Sequence, residues 1–67
     1  MLRQESEDRF VQRTEVLQLT SIRSPSTLYD LIKAGQFPRP YEITRGRKAW
    51  SFLEIQTWIG DRKKVRG

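Results

Sequence analysis

The chain has 67 residues, a formal net charge of +5 and neither cysteine nor histidine. So short a chain makes one domain, hides only about 60% of its unfolded surface, and must commit nearly every large apolar side chain to its core. The missing residue types exclude disulfides, remove the usual ligands of zinc and other transition metals, and remove every nucleophile–base pair built on cysteine or histidine; the positive balance points to an anionic partner. No cofactor and no metal are expected.

Met1 to Arg9 is polar, mixed in charge and without apolar period, which predicts a loose tail over 1–9. Phe10-Val11-Gln12-Arg13 reads as a short strand, and Thr14 as the N-cap of a first helix through Leu19. That helix is too short to stand alone and must lean on a second. The connection is Thr20-Ser21-Ile22-Arg23, with Ile22 filling the angle between the helices.

The second helix carries its own punctuation. Ser24 suits the N-cap, Pro25 the first helical position, and Gly35 the positive-φ residue that ends a helix. Leu28, Leu31 and Ile32 fall at i, i+3, i+4 and make one apolar stripe. Ser26, Tyr29, Asp30 and Lys33 fall opposite, with Thr27 near the helix start. Two short helices and a tight polar turn make a helix-turn-helix by pattern, and the polar face is the candidate DNA-reading surface.

Gln36-Phe37-Pro38-Arg39-Pro40 excludes helix and central strand, and Phe37 is expected in the core. Tyr41–Ile43 and Lys48–Trp50 alternate as two short strands around the turn Thr44-Arg45-Gly46-Arg47. Arg45 and Arg47 at the tip, with Lys48 beside them, make a basic wing; Arg23 and Arg39 would add phosphate contacts. Ser51 and Glu54 form an S-x-x-E capping box opening a third helix. Ile55, Trp58 and Ile59 give its inward stripe, and both tryptophans are expected in the core. Phe52 and Leu53 cannot both face that core, so one is exposed as a surface residue or protein contact. Arg62-Lys63-Lys64-Val65-Arg66 closes the chain as a basic tail. The predicted fold is α+β: a small winged helix-turn-helix over 10–62, with three short helices, a two-stranded hairpin wing and a third short strand near Phe10, flanked by tails 1–9 and 63–67.

The amino end lacks the apolar segment of a leader peptide, and no apolar run approaches the roughly 20 residues of a membrane span. A cytoplasmic protein without membrane contact is expected. No nucleophile–base constellation or phosphate-cradling glycine loop accompanies the carboxylates, so no enzyme is expected.

The run Ser26-Thr27-Leu28-Tyr29-x-Leu31-Ile32-Lys33-x-Gly35-x-Phe37-Pro38-x-Pro40, continued by Trp50-x-x-x-Glu54-Ile55-x-x-Trp58-Ile59, resembles the AlpA family of small phage and prophage regulators. The resemblance covers about Phe10 to Arg62. That family is similar to excisionases and to MerR-type winged helices. The resemblance implies a sequence-specific protein for double-stranded DNA, acting in transcription control or as an excisionase-type accessory factor. Its second helix would enter the major groove and its hairpin tip would meet the minor groove or its phosphates. A recombinase, an integrase or RNA polymerase would be its protein partner, with self-association on DNA.

The sequence departs from the family pattern in the longer turn Ser21–Ser24, in Phe52 and Leu53, and in Asp30, where an arginine is common. An acid on the reading face accepts only from a donor such as cytosine N4, or pairs with Lys33 or Arg23. The competing reading is a protein-interaction module, anti-repressor-like, that docks on an acidic partner through the same basic face.

Overall fold

The structure, a computed structural model, describes residues 8–64. The elements are β1 (Phe10–Val11), α1 (Arg13–Thr20), α2 (Pro25–Lys33), β2 (Tyr41–Thr44), β3 (Arg47–Ser51) and α3 (Phe52–Lys63). The strands form an antiparallel sheet in the order β1-β3-β2. The architecture is the small α+β winged-helix type expected from the sequence, with the third short strand present.

The hairpin register pairs Tyr41 with Ala49, Glu42 with Lys48 and Thr44 with Arg47. Ile43 is therefore the extra residue of a bulge, and bulges bend and twist a hairpin locally. The tip between the strands is Arg45-Gly46, with Gly46 at φ 76°. β1 pairs Phe10 with Ser51 and Val11 with Trp50. The core cluster is Val11, Val16, Leu28, Phe37, Trp50 and Ile55, with Ile22, Leu31, Ile32, Phe52, Trp58 and Ile59 among the side chains packed against it.

α2 is bounded as its residues dictate. Ser24 Oγ accepts from the Thr27 N–H at 3.3 Å, and Pro25 opens the helix. At the other end Gln36 N–H donates to the Leu31 carbonyl and Gly35 N–H to that of Ile32, at 2.9 and 3.0 Å. This is a Schellman ending, with Gly35 at φ 74°.

α1 begins earlier than expected. Its N-cap is Gln12, not Thr14, and Gln12 supplies no side-chain cap. The Val16 N–H donates to the Gln12 carbonyl at 2.9 Å. Burying Val16 completely fixes the start of the helix at Arg13 and shortens the strand to Phe10–Val11. α1 ends at Ser21, held at φ 64° in the left-handed region.

The start of α3 also differs. Glu54 N–H donates to Ser51 Oγ at 3.2 Å, but Glu54 does not complete the reciprocal box; its carboxylate accepts from the Tyr41 hydroxyl at 2.6 Å. The remaining first-turn donors are met from the amino-terminal segment. Phe52 N–H donates to the Arg9 carbonyl at 2.8 Å, and Leu53 N–H to Asp8 Oδ1 at 3.0 Å. Asp8 and Arg9 are thus tied to α3, whereas the expected loose tail had included them; its other residues, and 65–67 of the basic tail, lie outside the described residues.

Trp50 is buried and its indole N–H donates to the Pro38 carbonyl at 3.0 Å. Trp58 is half-buried and packs against the core cluster from outside, whereas Trp50 is part of it. Trp58 packs edge-on against Phe37, with centroids 4.8 Å apart, and donates to the Gln36 carbonyl at 2.8 Å. Of the adjacent pair, Phe52 packs on the core and Leu53 is exposed.

Candidate nucleic-acid interface

The stripe Leu28–Leu31–Ile32 fixes how α2 lies on the core, and so leaves Ser26, Thr27, Tyr29, Asp30 and Lys33 exposed along its outer side. Thr27 is partly committed: its hydroxyl lies 3.1 Å from Ser24 Oγ, within the helix cap. Asp30 forms no ion pair with Lys33 or Arg23; among the described residues the one ion pair is Arg9–Glu15, at 2.9 Å.

Beside α2 lies a groove of about 750 Å³. Tyr29 and Ile32 of α2 line one wall, and Ile43, Gly46, Arg47 and Lys48 of the hairpin the other. Gln12, Arg13 and Thr14, at the start of α1, close one side; Arg39, Pro40 and Trp50 complete it. The indole bond from Trp50 to Pro38 anchors the segment that carries Arg39. Four lining residues are cationic (Arg13, Arg39, Arg47 and Lys48) and none is a carboxylate, although the chain holds 8 acidic residues. Cations gathered over apolar walls, with no acid to neutralise them, make a field that concentrates anions.

The groove therefore joins four of the expected site residues: Tyr29, Arg39, Arg47 and Lys48. Arg23 and Arg45 are exposed outside it, as are Ser26, Thr27, Asp30 and Lys33. Arg13 is the residue that sequence reasoning missed. The sequence places it at a strand end; in the structure it opens α1 and lines the groove between Gln12 and Thr14.

The groups whose titration is shifted lie outside the groove lining. Leu53 N–H and the Ser51 hydroxyl hold the Asp8 carboxyl below its ordinary value. Arg9 does the same to Glu15, and the bond to Glu54 raises the Tyr41 phenol. None of these four residues lines the groove. Among the described residues no group of three or more acidic side chains could hold a metal ion, and no helix is long and apolar enough to cross a membrane.

The family model of the prophage CP4-57 regulatory protein (AlpA) matches residues 9–63. The chain belongs to the AlpA family. The match runs from the residue whose carbonyl caps α3 to the last residue of α3. A curated relative is "Uncharacterized protein ORF88" of Enterobacteria phage P4, 33% identical over 57 residues, which are 85% of this chain and 64% of the relative. The chain thus spans 64% of the length of that relative. AlpA proteins are phage regulatory proteins rather than a family of enzymes.

Proposed function

We propose that this AlpA-family chain is a sequence-specific protein for double-stranded DNA that regulates phage or prophage genes. The observation that supports the reading is the groove beside α2, which carries Arg13, Arg39, Arg47 and Lys48 and no carboxylate. One sugar-phosphate strand would run through it. α2 would lie in the major groove on one side of that strand, with Ser26, Tyr29, Asp30 and Lys33 toward base edges and Thr27 at its start. The hairpin would meet the minor groove or its phosphates on the other side. Arg23 and Arg45 would reach flanking phosphates, which position a protein without carrying sequence information. The reading extends to a cytoplasmic protein that acts in transcription or assists a recombinase.

Salt titration of DNA binding tests this. Four groove cations on phosphates give a slope of log K against log salt of about −4. A slope near zero on both random duplex and attachment-site duplex would overturn the proposal. The competing reading, an anti-repressor-like module on an acidic protein, uses the same cationic face and predicts only weak, salt-sensitive duplex affinity with no preferred site.

A further inference from the structure

Apart from the cationic groove, α3 and Pro38 enclose a smaller groove of about 350 Å³, lined by Pro38, Leu53, Glu54, Thr57, Trp58 and Asp61. Its lining charges are Glu54 and Asp61 alone, in a chain of net charge +5. They stand two helical turns apart, about 10 Å, over an apolar floor of Pro38, Leu53 and Trp58. Leu53 is 38% exposed there. The indole of Trp58 already accepts a cation: the Arg62 guanidinium lies 4.8 Å from its ring centroid, the geometry of a cation–π contact.

α3 ends in the chemistry this groove would take. Arg62, Lys63 and Lys64 are exposed at its carboxyl end, and the sequence continues as Val65-Arg66. Adjacent lysines match two carboxylates, and an aliphatic residue matches the floor. We propose that the basic end of α3 from a second copy of this chain docks in the groove between Pro38 and α3, so that copies associate head to tail.

The contact joins two different surfaces; made head to tail it is heterologous, and it repeats as a ring or as an open row according to the rotation between copies. A two-fold pairing of α3 helices is opposed by charge: Glu54 and Asp61 share one flank, and antiparallel contact sets that flank against itself. The two grooves share no lining residue. Free copies repel through their net charge, which makes the association weak in solution; a shared scaffold would raise the effective concentration of one copy at its neighbour.

The test needs no DNA, so its failure and a failed salt titration are separate results. The chain has no cysteine, and Thr57, Lys64 and Gln18 are all exposed, so single thiols report only contacts between copies. Thr57→Cys and Lys64→Cys chains are mixed at low ionic strength and oxidised with copper–phenanthroline. The mixed dimer should form about tenfold faster than one between Thr57→Cys and Gln18→Cys chains, because docking raises the local thiol concentration. Adding Asp61→Lys to the Thr57→Cys chain should remove that advantage, and Lys63→Asp in the Lys64→Cys chain should restore it. Dominant Thr57→Cys homodimers, or a mixed rate equal to the Gln18→Cys control, would overturn the proposal.

Discussion

The Ser51 hydroxyl donates to Asp8 Oδ2 at 2.7 Å while accepting from the Glu54 N–H at 3.2 Å. The other Asp8 oxygen accepts from the Leu53 N–H. A carboxylate 43 residues upstream of Ser51 in the chain therefore completes the cap of α3, where the helix dipole also favours negative charge.

This cap sets an acid-sensitive contribution to stability. The Asp8 carboxyl is held below its ordinary value of 3.8, chiefly by Leu53 N–H and then by Ser51. A group whose folded value is depressed contributes fully above its unfolded value and loses that contribution as pH falls through the folded one. Melting temperature should therefore drop from about pH 4 downward, more steeply for the native chain than for Asp8→Asn. Glu15, also lowered by Arg9, adds to the same window in both chains, so the difference between them isolates Asp8. Parallel curves from thermal melts would show that the Asp8 bonds contribute nothing.

Ser21 offers a stabilising change. It holds φ 64° at the end of α1 without being glycine. The left-handed region costs an L-residue about 1–2 kcal/mol, and glycine's backbone entropy returns about 0.5–1 of that. Ser21→Gly should raise stability by about 0.5–1 kcal/mol in denaturant titration. A loss would mean that the Ser21 side chain makes a contribution its position does not reveal.

Trp58 combines packing on Phe37 with a hydrogen bond to Gln36. Trp58→Phe keeps the first and loses the second, at about 1 kcal/mol for a hydrogen bond. Trp58→Ala loses both; large aromatic truncations cost about 3–5 kcal/mol in a core, and a half-buried ring falls at the lower end. Against the roughly 3–5 kcal/mol available to so small a core, the alanine variant should be largely unfolded at ambient temperature and the phenylalanine variant folded. Circular dichroism distinguishes the two.

How far the sequence disclosed this fold depends on how local each signal is. Ser24, Pro25 and Gly35 act through their own backbone positions, so α2 was legible to the residue. The hairpin was legible in outline, because Arg45-Gly46 lies between two alternating runs, but its strands reach Thr44, Arg47 and Ser51, each one residue beyond the expected ends. Thr14 misled, because a residue type suited to capping lay near a helix whose start is set by burying Val16. Glu54 misled similarly: the box pattern was present, but the Tyr41 hydroxyl, 13 residues away, takes its carboxylate. The bonds by which Asp8 and Arg9 cap α3 carry no local signal, since those partners lie more than 40 residues further on. Of the groove, Tyr29, Arg39, Arg47 and Lys48 were already candidates in the sequence; Arg13 depended on the tertiary placement of α1.

Groove and helix variants should separate on DNA. Arg13→Ala and Arg47→Ala should weaken specific and random duplex by similar factors and make the salt slope shallower by about 1 each. Ser26→Ala, Tyr29→Phe and Lys33→Ala should act chiefly on the preferred site, at about 1–3 kcal/mol for a base-reading contact. Thr27→Ala is a poor probe, because its hydroxyl belongs to the Ser24 cap. Filter binding on the two duplexes decides; a change of site preference from the groove variants would reverse the two assignments.

The bonds from Asp8 and Arg9 to the start of α3 also bear on how the chain matures. On the ribosome, the helix-turn-helix and the wing emerge before α3 does, yet the α3 cap is completed by contacts between the early residues Asp8 and Arg9 and the late residues Ser51, Phe52 and Leu53. Closing so long a loop is entropically costly and is repaid only once both ends are present. The nascent chain should thus remain protease-sensitive until α3 has left the exit tunnel, and then become resistant in a single step.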